Sequence, residues 1–142
     1  MAFLTAAPIE PAAVLGAVQS PSHGGTALFV GTVRDSHRGR AVRRLEYRAY
    51  PEMAEREARA IVAEASARWP VAVAAQHRTG SLALGEVAIA VAAASAHRES
   101  AFLACRWVVD ELKRRVPIWK RECYADGSAD WIDPSADAVG SA

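Results

Sequence analysis

Three groups of cations carry the residue types in this chain best suited to chemistry on an anion. Arg34, Arg38 and Arg40 follow an apolar stretch, His97 and Arg98 stand before a long helical pattern, and Lys113 and Lys120 bracket its far end and the segment P-I-W-K. Guanidinium and ammonium groups bind phosphates and carboxylates and stabilise negative charge that develops during a reaction. Each group also has an ordinary explanation. Most loop arginines are simply solvated, cations at a helix C-terminus are favoured by its dipole, and His97 fits a helix cap. Taken alone, the clusters specify an anion-binding site and nothing finer.

Other chemistry finds less support. Ser81, Ser95 and Ser100 lie in no nucleophile elbow, and His77 and His97 have no triad context. Gly24-Gly25 and G-S-L-A-L-G lack the Lys-Ser/Thr that completes a phosphate-binding loop. His23, His37, His77 and His97 are scattered, without the short paired spacings of zinc sites, so no metal and no cofactor is expected. Cys105 falls on an apolar stripe and reads as a packed thiol. Cys123 lies beside Lys120 and Arg121, where a lowered thiol pKa is conceivable, but the reading is against a nucleophilic cysteine.

The elements that must position these residues follow from periodicity. Pro11 suits the first position of a short helix to about Val18, and Ser20 to Gly25 form a turn-rich break. Thr26 to Val33 is apolar on both faces, as a buried strand would be. Val42 to Tyr50 alternates, and the two strands are expected to pair as a hairpin across the cationic loop of residues 34–40. Pro51 opens a helix to about Trp69, with Ala54, Ala58, Ile61, Ala65 and Trp69 on one stripe. Val71 to His77 and Val87 to Ser95 read as strands joined through a glycine-containing link. Glu99 to Val116 reads as a helix with Ala101, Cys105, Val108 and Leu112 on one stripe, stopped by Pro117. Residues 118–132 are short and aromatic-rich. The interleaving of strands and helices gives an α/β or α+β class.

Helix geometry adds a constraint. His97 and Lys113 are 16 positions apart, which is about 24 Å along a continuous helix. One small ligand cannot touch both in a single chain. Either the clusters serve different sites, or a homodimer brings His97 and Arg98 of one copy to Lys113 and Lys120 of another.

The 142 residues, 51% hydrophobic and 23% charged, fit one domain over 1–142, with 1–22 an N-terminal helix and linker and 133–142 a flexible tail. A formal net charge of +1 provides no global attraction to nucleic acid or membrane. The longest apolar run, Val87 to Ala94, is far too short to span a bilayer. The first residues lack a signal-peptide pattern, and two cysteines suit a reducing compartment. A cytoplasmic location is expected.

Five segments carry more information together than separately: F-V-G-T-V-R (29–34), L-E-Y-R-A-Y-P-E-M-A (45–54), H-R-T-G-S-L-A-L-G-E (77–86), S-A-H-R-E-S-A-F (95–102) and D-E-L-K-R-R-V-P-I-W-K-R-E (110–122). In order and spacing they resemble the large, catalytic subunits of molybdopterin synthase, over roughly Thr26 to Ile132. The resemblance implies an α+β fold of the α/β hammerhead type, with a mixed, largely antiparallel sheet packed against two main helices. It also implies a homodimer with a small ubiquitin-like sulfur-carrier subunit at each end, forming a heterotetramer. The carrier's C-terminal thiocarboxylate would supply sulfur to cyclic pyranopterin monophosphate, building the dithiolene of molybdopterin for molybdenum cofactor biosynthesis. By motif, Lys113 and Lys120 match the family's active-site lysines, Arg34 contributes to the same pocket, and His97 and Arg98 bind the substrate phosphate from the neighbouring subunit. Val109, four before Lys113, is expected only to wall the pocket. Sulfur arriving on a partner removes the need for a catalytic cysteine. A non-enzymatic adaptor for a ubiquitin-like tail is the alternative reading. An RNA-binding domain, suggested by arginines and aromatics, is disfavoured by the near-neutral charge.

Overall fold

A computed structural model describes residues 1–132. In chain order the elements are β1 (Leu4–Thr5), α1 (Pro11–Gly16), β2 (Gly25–Thr32), β3 (Ser36–His37), β4 (Arg40–Ala49), α2 (Pro51–Arg68), β5 (Ala72–Arg78), β6 (Gly80–Ala83), β7 (Val87–Ser95), α3 (Arg98–Arg115), β8 (Ile118–Tyr124) and β9 (Ala129–Ile132). The expected tail at 133–142 lies outside the described residues.

The continuous apolar run of β7 has a direct cause: the strand is covered on both faces. Ile89, Val91 and Ala93 join the core formed with α2 and α3, whereas Ala90, Ala92 and Ala94 pack against Ile9, Val14 and Val18 around α1. β7 sits between β5 and β2 in a four-stranded sheet of order β1-β5-β7-β2. Within that sheet the β1–β5 pairing is parallel and the other two are antiparallel. On the helical side, Ala54, Ala58, Ile61 and Ala65 of α2 and Ala101, Ala104, Cys105, Val108 and Leu112 of α3 are buried. Both stripes therefore face the core as their spacing predicts. Small residues on both helices let them approach closely. Arg115 then ties them together, donating to Glu57 of α2 at 2.8 Å and to Glu64 at 2.7 Å.

The second sheet departs from the sequence expectation. β2 and β4 do not form a hairpin: β2 pairs with β7, while β4 pairs with β8 and β6 in a five-stranded sheet. β2 ends the first sheet with only Ala27 buried among its residues and Leu28 40% exposed, so it is not the strand buried on both faces that its apolar run predicts, and its hydrogen-bonding partner comes from a remote part of the sequence. The cationic loop is itself structured. β3 folds onto the start of β4 through Arg38 and Gly39, whose φ values of 51° and 78° give a two-residue turn with both central residues left-handed, a geometry matched to hairpin twist. The glycine-containing link holds a strand, β6, and the aromatic-rich residues 118–132 form the antiparallel pair β8–β9. A short strand, β1, lies inside the N-terminal stretch expected to be helix and linker. The fold is of the expected α+β class, with its strands divided between two sheets.

Candidate active site

A cavity of about 340 Å³ opens where the two sheets meet the C-terminal end of α3, within the size range of small-molecule sites. Arg34 enters from the segment after β2, Lys113 from the last turn of α3, and Lys120 from β8. Three of the five predicted site residues thus converge from distant parts of the chain. Strand alternation explains the contribution of β8: Ile118, Lys120 and Glu122 share a face, opposite Ala49, Tyr47 and Leu45 of β4. All three β8 residues line the cavity, whereas Trp119 on the other face is 47% exposed. Lys113 shares the final helical turn with Arg114 and Arg115, where the helix dipole favours positive charge.

His97 and Arg98 are elsewhere. His97 occupies the N-cap position of α3 with extended backbone and no side-chain capping bond, and both residues are exposed. They sit at the opposite end of the helix from Lys113, so the helix-length constraint holds in the folded chain. Gly24 and Gly25 allow the start of β2 to press against this turn: a Cβ on Gly24 would lie 2.7 Å from the Ala96 carbonyl oxygen, and one on Gly25 3.0 Å from the Arg98 nitrogen. Of the other loop cations, Arg40 bonds Asp130 at 3.0 Å and stacks over the Tyr124 ring at 3.6 Å, a structural role. Val109 does not wall this cavity. It lines a separate groove with Leu28, Phe29, Phe102 and Cys105, about one helical turn before Lys113.

The cavity also gathers residues that the sequence does not single out. Tyr47 packs edge-on against His77, with ring centroids 4.8 Å apart. His77 Nδ1 lies 2.7 Å from the Arg78 carbonyl oxygen, an acceptor, so Nδ1 carries the hydrogen. Loss of solvent around the ring, reinforced by the Lys113 charge and opposed by that hydrogen bond, lowers the His77 pKa from 6.5 to about 4. The imidazole is neutral at physiological pH. His37 and Glu122 form a buried pair that also lines the cavity, with Nδ1 and Oε1 2.8 Å apart. The period-two spacing of Lys120 and Glu122 is a usable signal for Glu122. Nothing local marks His37 or His77, whose neighbours come from other strands.

Cys105 is buried, its Sγ 3.6 Å from the Val91 carbonyl oxygen, and burial pushes its thiol pKa up. Cys123 is buried as well. Neither lines the cavity. Among the described residues no group of three His, Cys, Asp or Glu side chains is placed to hold a metal ion, and no helix is long and apolar enough to cross a membrane.

Fold and site together define an α+β protein whose cavity gathers Arg34, Lys113 and Lys120. Residues 4–115 match the family model described as MoaE protein. The chain is 48% identical over 126 residues to the molybdopterin synthase catalytic subunit of Pyrococcus abyssi, covering 88% of this chain and 83% of that one. Among solved structures, molybdopterin synthase from Staphylococcus aureus superposes with a TM-score of 0.88 at 30% identity, covering 92% of this chain and 96% of that chain. A complex of subunits 1 and 2 of the molybdopterin-converting factor from Helicobacter pylori superposes with a TM-score of 0.75, covering 91% of this chain and 88% of that chain. At 17% identity that likeness is one of fold alone. The chain belongs to the MoaE family, the catalytic subunits of molybdopterin synthase.

Proposed function

We propose that the cavity is where sulfur passes from the C-terminal thiocarboxylate of a small ubiquitin-like carrier to cyclic pyranopterin monophosphate, forming the dithiolene of molybdopterin. The observation that carries this reading is the convergence of Arg34, Lys113 and Lys120 on one cavity. Both reactants are anions, and the three cations are suited to hold a thiocarboxylate tail against the pterin and to stabilise charge building on the acyl oxygen. Lys113, in a pocket shared with other cations, is placed to act as proton donor or acceptor.

In this proposal His97 and Arg98 serve a second copy's cavity, where the guanidinium makes bidentate contact with the substrate phosphate. An apolar patch on the β2 side of α3 supports a homodimer: Phe102 is 65%, Leu103 50% and Leu28 40% exposed, and β2 ends the four-strand order. The small carrier bound to each copy would complete a heterotetramer, as the pairing of subunits in the Helicobacter pylori complex suggests by analogy. Free, buried thiols at Cys105 and Cys123 are compatible with the cytoplasm, and the chain acts as one domain over 1–142.

The test is reconstitution. Purified protein mixed with thiocarboxylated carrier and the cyclic pterin should form molybdopterin, and Lys113→Ala should reduce the rate by about 100-fold or more; full turnover by that variant would remove Lys113 from the chemistry. Co-assembled Lys113→Ala and Arg98→Ala chains should regain activity through heterodimers with one intact site. No recovery would place the two clusters in the service of different sites.

A further inference from the structure

Part of the cavity wall comes from residues ahead of α1. Phe3, next to the two-residue strand β1, is 5% exposed, lines the cavity and joins the core shared by α2 and α3. Its main chain fixes its place. The Phe3 and Leu4 amides donate to the two carboxylate oxygens of Glu55 on α2 at 3.1 and 2.9 Å, and the Phe3 carbonyl accepts the His77 amide at 2.7 Å. β1 is the outermost strand of its sheet, so the carboxylate stands in for a missing neighbouring strand, through charge-assisted bonds. Rings then continue the wall. The His77 centroid lies 6.2 Å from that of Phe3 and 4.8 Å from that of Tyr47, and Nδ1 of His77 is tied to the Arg78 carbonyl oxygen. All three rings line the cavity that Lys113 enters, and the Lys113 charge reaches His77. Gly31 shows how full the lining is: a Cβ there would lie 2.7 Å from Cγ2 of Ile89.

Such a wall limits what can approach the cations. Its role rests on the sulfur-transfer function proposed for the cavity, in which the carrier's acyl carbon sits among Arg34, Lys113 and Lys120. The Cα of the carrier's last residue is about 1.5 Å from that carbon, so any side chain on it enters the cavity too. A close-packed wall resists even one added methyl, because its side chains must leave their preferred rotamers to make room. We propose that Phe3 is a specificity-determining residue, whose ring, held in place by Glu55, restricts the sulfur donor to carriers whose last residue has no side chain. The sequence does not signal this, since the anchoring carboxylate is 52 positions away.

Competition between two carriers tests the assignment. One thiocarboxylated carrier ends in glycine and the other has that glycine replaced by alanine; both are mixed with the whole protein and the cyclic pterin, and intact mass follows the consumption of each. The ratio of the two rates does not depend on how much of the protein is folded. Wild type should favour the glycine carrier by about 10–200-fold, the range over which a pocket resolves one methyl-sized group. Phe3→Ala should consume the alanine carrier faster than wild type does and bring the ratio to within about threefold of unity. Phe3→Leu keeps apolar bulk and should retain most of the preference. Glu55→Ala leaves every lining residue in place and should lower the preference, though less than Phe3→Ala; it decides the matter if Phe3→Ala does not fold. Ile61→Ala weakens the same core without touching the cavity and should leave the ratio unchanged. Phe3→Ala with the wild-type preference overturns the assignment, as does an equal loss in Ile61→Ala. Glu55→Ala with the full preference overturns the anchoring. If wild type makes product but consumes both carriers at one rate, only the selection by Phe3 fails. If wild type makes no product from the glycine carrier, the sulfur-transfer reading fails and this selection with it.

Discussion

Replacing His77 by asparagine should make the protein markedly less sensitive to acid. The folded ring holds its extra proton only below about pH 4, whereas its ordinary pKa is 6.5. Between those values the unfolded chain binds the proton and the folded chain does not, so stability rises with pH across that window. The contribution is fully present above pH 6.5 and is lost progressively as the pH falls toward 4. A shift of this size corresponds to about 3 kcal/mol at its limit, and to about 2.5 kcal/mol by pH 4.5. That is a large part of the roughly 5–15 kcal/mol that holds a domain together. Asparagine can donate to the Arg78 carbonyl as Nδ1 does but does not titrate in this range. Urea unfolding followed by circular dichroism at pH 7.5 and 4.5 gives the loss for each protein. Wild type should lose about 2.5 kcal/mol more than His77→Asn, seen on heating as an extra fall of about 5–10 °C in Tm. Acidic residues that titrate in both proteins cancel in the difference. Equal losses in the two proteins would refute the claim that His77 is held neutral by its surroundings.

Three other perturbations test the framework around the site. Ile61→Ala removes a side chain with no exposure from the α2–α3 core and should cost about 2–5 kcal/mol in chemical unfolding. Gly24→Ala drives a methyl to 2.7 Å from the Ala96 carbonyl oxygen; a loss of about 1–3 kcal/mol is expected, with amide shifts in NMR spectra concentrated at His97 and Arg98. Arg115→Met leaves the carboxylates of Glu57, Glu64 and Glu111 without their shared partner. With the Arg115 side chain 24% exposed, a cost of about 1 kcal/mol at low ionic strength is expected, shrinking in high salt as the remaining charges are screened.

Local patterning makes the helices readable. The spacing of Ala54, Ala58 and Ala65 and the stripe through Cys105 and Leu112 state which face is buried, because a helix repeats its contacts within its own turn. Prolines 11, 51, 70 and 117 mark element ends for the same local reason. The apolar run of residues 87–94 reads as a strand, and the fold then covers it on both faces. The motifs carried by residues 29–34, 45–54, 77–86, 95–102 and 110–122 declare the family. Lys113 and Lys120 stand out as cations bracketing the end of α3 before any contact is known.

Strand partnership was decided only in three dimensions. A strand exposes the same donors and acceptors whatever its neighbour, so nothing in Thr26 to Val33 distinguishes the adjacent β4 from the remote β7. Choosing β7 placed β2 in one sheet and β4 in the other, and the gap between those sheets became the cavity. Register then turned Lys120 and Glu122 inward and brought His37 onto a carboxylate 85 positions away. Sequence alone determined the helices, the cationic pair and the kinship; the tertiary structure determined that a neutral His77 and a carboxylate-held His37 share their pocket, because long-range pairing and burial, rather than residue type, set how a side chain is solvated and what it faces.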